Sequence, residues 1–272
     1  MLKFLFAVLL TAVSIPAVAD ADALLDEAYQ RMQAGDYPSA RRTWDRLAAE
    51  NNPAAIFYHS LVYENSVLET VDLERSARLC RQSAELGFAE AQARMGFKYL
   101  HGLGVPRDIG NSIEWYLLAA EQDQPEALGT LGNIYIGEAG IPGDLEKSRN
   151  YWERAVAQGH VDSTHNLGVM YERGQGGLEP DLDMAIQLYN GAADAGSIEA
   201  MANLLRIYSS GEAIPVDLEK AYFWCDILVA AGREDYREYL RYLKGALDPE
   251  QRARVRQQIA NWHEIKNSFR DF

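Results

Sequence analysis

The side chains that could do chemistry in this chain are few and scattered. Two cysteines, Cys80 and Cys225, could form a disulfide or supply a thiolate, and His160 and His165 could share a metal ion. Their five-residue spacing does not place two imidazoles on one face of a helix, where a shared metal ion would need them. The chain also lacks the HExxH, GxSxG, GxxxxGK[ST] and paired CxxC patterns. We therefore predict no catalytic residue, no metal site and no cofactor.

The charge balance argues against polyanionic ligands. The chain has 26 Lys and Arg against 40 Asp and Glu, which gives a formal net charge of -14. An acidic body repels phosphate backbones and anionic lipid surfaces, so we expect no nucleic acid partner. The charge favours a neutral or basic partner, and the alternative is that it serves only solubility.

Residues 1–19 carry the features of a cleaved export signal. Lys3 precedes the apolar run "FLFAVLLTAVSIPAVA", which ends in the small-residue pattern Ala17-Val18-Ala19. A basic start, a short apolar core and small residues before the cut predict cleavage after Ala19. The alternative is a membrane anchor, but the run is short for a stable membrane span. We expect a periplasmic or secreted mature protein.

The rest of the chain is organised by a repeat of 36 or 37 residues. Three series of residues keep this spacing in one register: Asp72, Asp108, Asp144, Asp181 and Asp217; Tyr63, Tyr99, Tyr135, Tyr171 and Tyr208; and Gly87, Asp123, Gly159, Gly196 and Gly232. Such periodicity is typical of a structural unit that cannot bury its apolar face alone and stacks on copies of itself.

Each unit is predicted to form two antiparallel helices, A and B. Helix A of one unit is expected from about Glu90 to His101, because Ala91, Met95 and Tyr99 recur at helical spacing. The aspartate of each unit is the predicted N-cap of helix B. Glycines at one helix A position (Gly96, Gly132 and Gly168) are predicted to let a neighbouring helix approach closely.

The two cysteines occupy the same position in units four repeats apart. A stacked helix layer advances by about 8–10 Å, whereas a disulfide needs Cα atoms within about 7 Å. We therefore predict no disulfide, and we expect Cys80 and Cys225 to be small buried apolar residues.

The repeat resembles the Sel-one-like repeat of the tetratricopeptide-like superfamily, most clearly in "AEAQARMGFKYLHGLGVPRD" and "STHNLGVMYERGQGG". The resemblance implies an all-α, right-handed α-solenoid of stacked antiparallel helix pairs and a role in holding proteins together. The first repeat departs from the pattern because it lacks the glycine-rich loop. The predicted segments are a signal peptide (1–19), a tetratricopeptide-like helix pair (20–52), five repeats (53–232) and C-terminal capping helices (233–272).

In this superfamily helix A usually lines the concave surface of the solenoid, which implies a candidate partner-binding face. Its residues in this chain are Phe57, Leu61, Phe97, Leu100, Ile136, Asn133, His165, Glu172, Arg173 and Arg206. We expect the apolar ones to be exposed and a peptide to dock on them, with Phe97 and Leu100 as anchors. The alternative is that these residues are core between repeats.

The sequence therefore favours a non-catalytic, exported scaffold or adaptor that binds protein or peptide partners and is compatible with a monomer. One alternative is a periplasmic hydrolase of cell-wall or β-lactam substrates, an activity credited to some cysteine-rich proteins with similar repeats. Those relatives carry cysteine pairs within their units, which are absent here. A second alternative is a secreted host-contact factor.

Overall fold

The computed structural model describes residues 18–64, 70–138 and 140–268, and these residues form fourteen α-helices and no β-strand. The predicted all-α class is confirmed. Most of the predicted signal peptide lies outside the described residues, so cleavage after Ala19 stays a prediction. In the described ranges, no helix combines the length and the apolar character that crossing a bilayer requires.

The first compact unit extends to Asp108 and contains five helices. They are α1 (Val18–Gln33), α2 (Tyr37–Ala49), α3 (Pro53–Val62), α4 (Leu73–Glu85) and α5 (Ala89–His101). Each helix packs against the next one along the chain. Trp44 of α2 lies in a buried cluster with Ala28 of α1 and Val62 of α3. This cluster attaches the first helix pair to the first repeat.

The second compact unit begins at Ile109. Its helices are α6 (Ile109–Glu121), α7 (Pro125–Asn133), α8 (Leu145–Ala157), α9 (Val161–Arg173), α10 (Leu182–Asp194), α11 (Ile198–Ser210), α12 (Leu218–Ala230), α13 (Arg237–Ala246) and α14 (Pro249–Ser268). A wider helical turn, Ile134–Glu138, continues α7. The boundary between the two compact units falls inside the second repeat and coincides with none of the predicted segment ends.

The predicted aspartate N-caps are confirmed for the B helices α4, α8, α10 and α12. The side chains of Asp72, Asp144, Asp181 and Asp217 each accept a hydrogen bond from the backbone N–H three residues later, at 2.9–3.0 Å. Asp36 caps α2 in the same way, at 3.3 Å. Each carboxylate satisfies a donor that the helix leaves free and lies at the positive end of the helix dipole.

The chain reverses direction after each B helix at a residue with positive φ. The four predicted glycines adopt φ values of 80–101°, and Asp123 takes the same place with φ 54°. Asn51, 36 residues before Gly87, also has a positive φ of 60°. Aspartate and asparagine tolerate this conformation better than other side chains. The reversal series therefore begins one unit earlier than the sequence indicated.

The tyrosine and aspartate series are connected by a backbone hydrogen bond. In every repeat the N–H of the aspartate donates to the carbonyl oxygen of the tyrosine at the end of helix A, at 2.6–2.9 Å. The pairs are Asp72–Tyr63, Asp108–Tyr99, Asp144–Tyr135, Asp181–Tyr171 and Asp217–Tyr208. The first repeat forms this bond although its sequence lacks the glycine-rich loop.

Two of the helix A glycines are in close contact with aromatic side chains. A Cβ atom at Gly132 would lie 2.2 Å from the indole nitrogen of Trp152. A Cβ atom at Gly168 would lie 2.8 Å from the ring of Tyr189. The close approach predicted for these positions is confirmed, because any side chain there would collide with the following B helix.

The C-terminal helices cover the last repeat. Leu243 of α13 and Val255 of α14 are buried in the cluster that also contains Trp224 of α12. Asp248 and Gln251 form a reciprocal cap at the start of α14, with backbone-to-side-chain bonds of 2.8 and 2.9 Å. These two helices therefore cover the apolar face that the last repeat would otherwise leave exposed.

Both cysteines are free and buried, as predicted. Burial raises the pKa of each thiol to about 12. A thiol with such a pKa is protonated at neutral pH and is a poor nucleophile.

Candidate functional site

The predicted partner-binding residues divide between the two compact units. Phe57 and Leu61 of α3 and Phe97 and Leu100 of α5 belong to the first unit. The others belong to the second unit: Asn133 of α7, Ile136 of the turn that follows it, His165, Glu172 and Arg173 of α9, and Arg206 of α11. The residues of the first unit are aromatic or aliphatic, whereas those of the second unit are mostly polar.

The apolar residues of this face are less exposed than predicted. Phe57, Leu61, Phe97, Leu100 and Ile136 are all half-buried. The ring of Phe57 lies 5.5 Å from that of Phe88, and the ring of Phe97 lies 4.4 Å from that of His101. The two phenylalanine rings are thus partly covered, by the residue that precedes α5 and by a side chain of α5 itself, and the role of these residues as anchors stays a prediction.

A buried ionic cluster, which was not predicted from the sequence, lies beside Phe97. The carboxylate of Glu64 accepts hydrogen bonds from Lys98 Nζ at 2.5 Å, from Ser76 Oγ at 2.6 Å and from the guanidinium of Arg94. Lys98 Nζ also donates to Ser76 Oγ at 2.9 Å. The side chain of Lys98 is 1% exposed and that of Glu64 is 13% exposed. Such a lysine is tolerated in a core only because it is paired and hydrogen-bonded.

The electrostatics of this cluster favour the ionised carboxylate. Burial raises the pKa of Glu64, but hydrogen bonds from Arg94, Lys98 and Ser76 lower it by more. The net result is a pKa below the usual value of 4.5. Glu64 is therefore negatively charged in the folded chain at neutral pH.

The polar group of the second unit forms a row across three A helices. Asn133 Oδ1 of α7 accepts from Trp152 Nε1 at 3.2 Å and from Asn166 Nδ2 at 3.3 Å. His165 Nδ1 lies 3.1 Å from Asn166 Oδ1, and His165 Nε2 lies 3.0 Å from Asn203 Nδ2. We call Asn133, His165, Asn166 and Asn203 the amide row. All four side chains are half-buried.

An ion pair lies on the same helices as the amide row. Arg206 Nη2 of α11 donates to Glu172 Oε1 of α9 at 2.5 Å, and the hydroxyl of Tyr189 donates to Glu172 Oε2 at 2.8 Å. Burial and then the carboxylate of Glu172 raise the pKa of Tyr189. Arg173, also on α9, is exposed. The structure thus brings together Glu172 and Arg206, two residues of the predicted partner-binding face.

The side chains capable of chemistry contribute to the fold. Among the described residues, no group of three or more His, Cys, Asp and Glu is placed to hold a metal ion. Ser76 and Lys98 have the spacing of a nucleophile and a base, but both are fully buried and both are bound to Glu64. His160 accepts from the N–H of Ser163 as the N-cap of α9.

The comparisons with known proteins agree with the repeat. The Sel1 repeat model matches residues 53–88, 89–124, 125–160, 161–197 and 198–228. The chain is similar in structure to a Sel1 repeat protein from Oxalobacter formigenes, with a TM-score of 0.73 and 26% sequence identity over 90% of this chain and 99% of that one. The predicted α-solenoid class is confirmed by this likeness.

Two curated relatives share a shorter stretch. The alginate biosynthesis protein AlgK of Azotobacter vinelandii is 34% identical over 34% of this chain and 20% of its own length. The chitin synthase regulator SKT5 of Malassezia restricta is 34% identical over 29% of this chain and 6% of its own length. The matches therefore span a small part of either relative. Because the family model covers more than half of the chain, the chain belongs to the Sel1 repeat family.

Proposed function

We propose that this chain is an exported, non-catalytic scaffold or adaptor that binds a protein or peptide through the faces of its A helices. Sel1 repeats are protein-interaction modules, and five of them form most of the chain. The relatives named above are a biosynthesis protein and a synthase regulator, which fits an accessory role. They match over too little of their length to identify the partner.

The observation that carries the proposal is the amide row. Three A helices in succession place polar side chains side by side, and those side chains stay partly accessible. Carboxamide and imidazole groups can both donate and accept hydrogen bonds, which is what a peptide backbone or a polar protein surface requires. A row that crosses several repeats can engage an extended partner at successive points.

Site-directed photo-crosslinking tests the face directly. A photoreactive residue placed at Ile136 or Arg206 reports on the A helices, and one placed at the exposed Leu118 of α6 or Met184 of α10 is the matched control on the B helices. In envelope extracts of the source organism we expect an adduct of one defined mass from the A-helix positions alone. Equal adducts from both sets of positions would contradict the proposal.

The anchors are tested by removing them together. The F97A/L100A variant is expected to lose partner capture while its helicity and melting temperature stay close to those of the parent chain. If melting falls in parallel with capture, these two residues are core and the binding surface excludes them.

Export is tested by cell fractionation. The full chain should appear outside the cytoplasm with Asp20 as its first residue, and a chain that lacks residues 2–19 should stay inside. Recovery of both forms in the cytoplasm would contradict the exported location. Turnover of cell-wall fragments or β-lactams that a point substitution abolishes would contradict the non-catalytic role.

A further inference from the structure

The ionic cluster of the first unit has a net charge opposite in sign to that of the whole chain. Arg94 and Lys98 share the single carboxylate of Glu64, so the cluster carries one more positive charge than negative. Lys98 is buried, whereas the side chain of Arg94 is 34% exposed. The surplus positive charge therefore reaches the surface at Arg94, in a chain whose net charge is -14.

The guanidinium of Arg94 is held in a fixed orientation. One of its terminal nitrogens, Nη2, donates to Glu64, and its Cζ lies over the ring of Phe97 at 5.1 Å from the ring centroid. Its Nε is buried without a hydrogen-bond partner among the described residues. An arginine has five N–H donors in a rigid planar fork, and Glu64 satisfies only part of them. Arg94 is therefore preorganised to donate hydrogen bonds to a second anionic oxygen group.

Apolar side chains lie on both A helices of the first unit, α3 and α5. Phe97 lies one turn further along α5, and Phe57 and Leu61 lie on the neighbouring α3. All three are half-buried, so each retains some accessible apolar surface. We call Leu61, Arg94 and Phe97 the Arg94 face. Apolar side chains around a cation exclude water and strengthen its pairing with an anion.

Building on the proposed function, we infer that the Arg94 face binds a peptide segment in which one Asp or Glu side chain adjoins an aromatic or aliphatic residue. The carboxylate pairs with Arg94, and the apolar neighbour packs on Phe97 and Leu61. The net charge of -14 repels a run of acidic residues at long range, which favours a single carboxylate. Apolar residues on both α3 and α5 favour a carboxylate within the segment over one at its end.

Direct binding of defined peptides to the mature chain tests the inference. The probes are fluorescein-labelled Gly-Leu-Phe-Glu-Leu-Gly amide, the same peptide with Gln in place of Glu, and the Gln peptide with a free C-terminal carboxylate. Fluorescence anisotropy should give a Kd about tenfold lower for the Glu peptide than for the Gln peptide, as a charge-assisted pair predicts. Equal affinity, no binding of either peptide, or preference for the terminal carboxylate would overturn the inference.

Substitutions assign the effect to Arg94. R94Q should abolish the preference for Glu over Gln, and R94K should retain part of it because the charge stays but the fork is lost. R75Q is the matched control, because Arg75 is exposed on α4 and its guanidinium lies 4.3 Å from the ring centroid of Tyr63. A preference that survives R94Q overturns the assignment.

The outcome of this experiment is separable from that of the proposed function. If R94Q does not fold, the comparison of the Glu and Gln peptides on the parent chain still tests whether the chain prefers a carboxylate. Photo-adducts on the A helices without a Glu preference overturn the inference alone. Absence of those adducts overturns the proposed function.

Discussion

Two glutamates at the same position of different repeats have different environments. Glu64 of the first repeat and Glu172 of the fourth each pair with a cation 34 residues later, Lys98 and Arg206. Lys98 is buried, whereas the side chain of Arg206 is 47% exposed. The repeat thus determines where the acid lies, and the neighbouring side chains determine whether it belongs to the core or to the surface.

The difference has an energetic consequence. A buried charge without its partner is costly, whereas an exposed ion pair is weakened by water and by salt. We expect the Glu64 cluster to make a large contribution to the stability of the first unit, and the Glu172 pair to matter more for recognition than for folding.

The largest effect is expected from removal of the buried carboxylate. E64Q leaves Lys98 and Arg94 without their anion and should lower the free energy of unfolding by about 3 kcal/mol. E172Q, its matched control at the same repeat position, should lower it by about 1 kcal/mol or less. Urea unfolding followed by circular dichroism measures both. Equal losses would show that burial does not distinguish the two glutamates.

An apolar replacement of the buried pair should recover part of that loss. In E64L/K98M both charges are removed, so neither is left unpaired, and Arg94 can turn its guanidinium to solvent. We expect about 2 kcal/mol of the E64Q loss to return. A double variant as unstable as E64Q would mean that the hydrogen bonds, and not the unpaired charge, carry the stability.

Low pH should reduce the difference in unfolding free energy between the parent chain and E64Q. The pKa of Glu64 is lowered in the folded chain, so its stabilising contribution is complete above the unfolded value near 4.5 and is lost as the pH falls through the folded value. The difference in unfolding free energy between the two chains should therefore narrow below about pH 4. A difference that stays constant down to about pH 3 would contradict the lowered pKa.

The smallest effect is expected from the exposed pair. R206Q should lower the free energy of unfolding by less than about 1 kcal/mol, and added salt should reduce that loss because it screens exposed charges. The same salt series should leave the E64Q loss almost unchanged. If added salt does not change the loss of unfolding free energy caused by R206Q, the Glu172 pair is shielded from solvent like the Glu64 cluster.

Much of the fold could be predicted from the sequence because its requirements are local. A helix N-cap, a chain reversal and the close packing of Gly132 against Trp152 each restrict the residue type at one position. Because the unit is repeated along the chain, these restrictions recur at a regular spacing in the sequence. The first reversal, at Asn51 before the first repeat, was missed because asparagine takes the place of glycine there.

The site could be predicted only in part. The resemblance to the tetratricopeptide-like superfamily placed Glu172 and Arg206 on one face, and the structure pairs them. Glu64 was missed because it follows α3 at the start of a loop that lacks the usual glycines, and its partners lie 30 and 34 residues away. The shared spacing of an acid and a cation 34 residues apart was the available signal. The exposure of Phe97 was overestimated because spacing does not report the covering side chains, Arg94 and His101.

The hydrogen bond from each aspartate amide to the tyrosine carbonyl also bears on how such a chain can be re-engineered. It forms across nine residues in four repeats and across ten between Tyr171 and Asp181. The segment between the two residues can therefore lengthen while the helices on either side keep their pairing. We expect these connections to accept a foreign epitope or a reporter tag, because the hydrogen bond that joins their two ends uses backbone atoms alone.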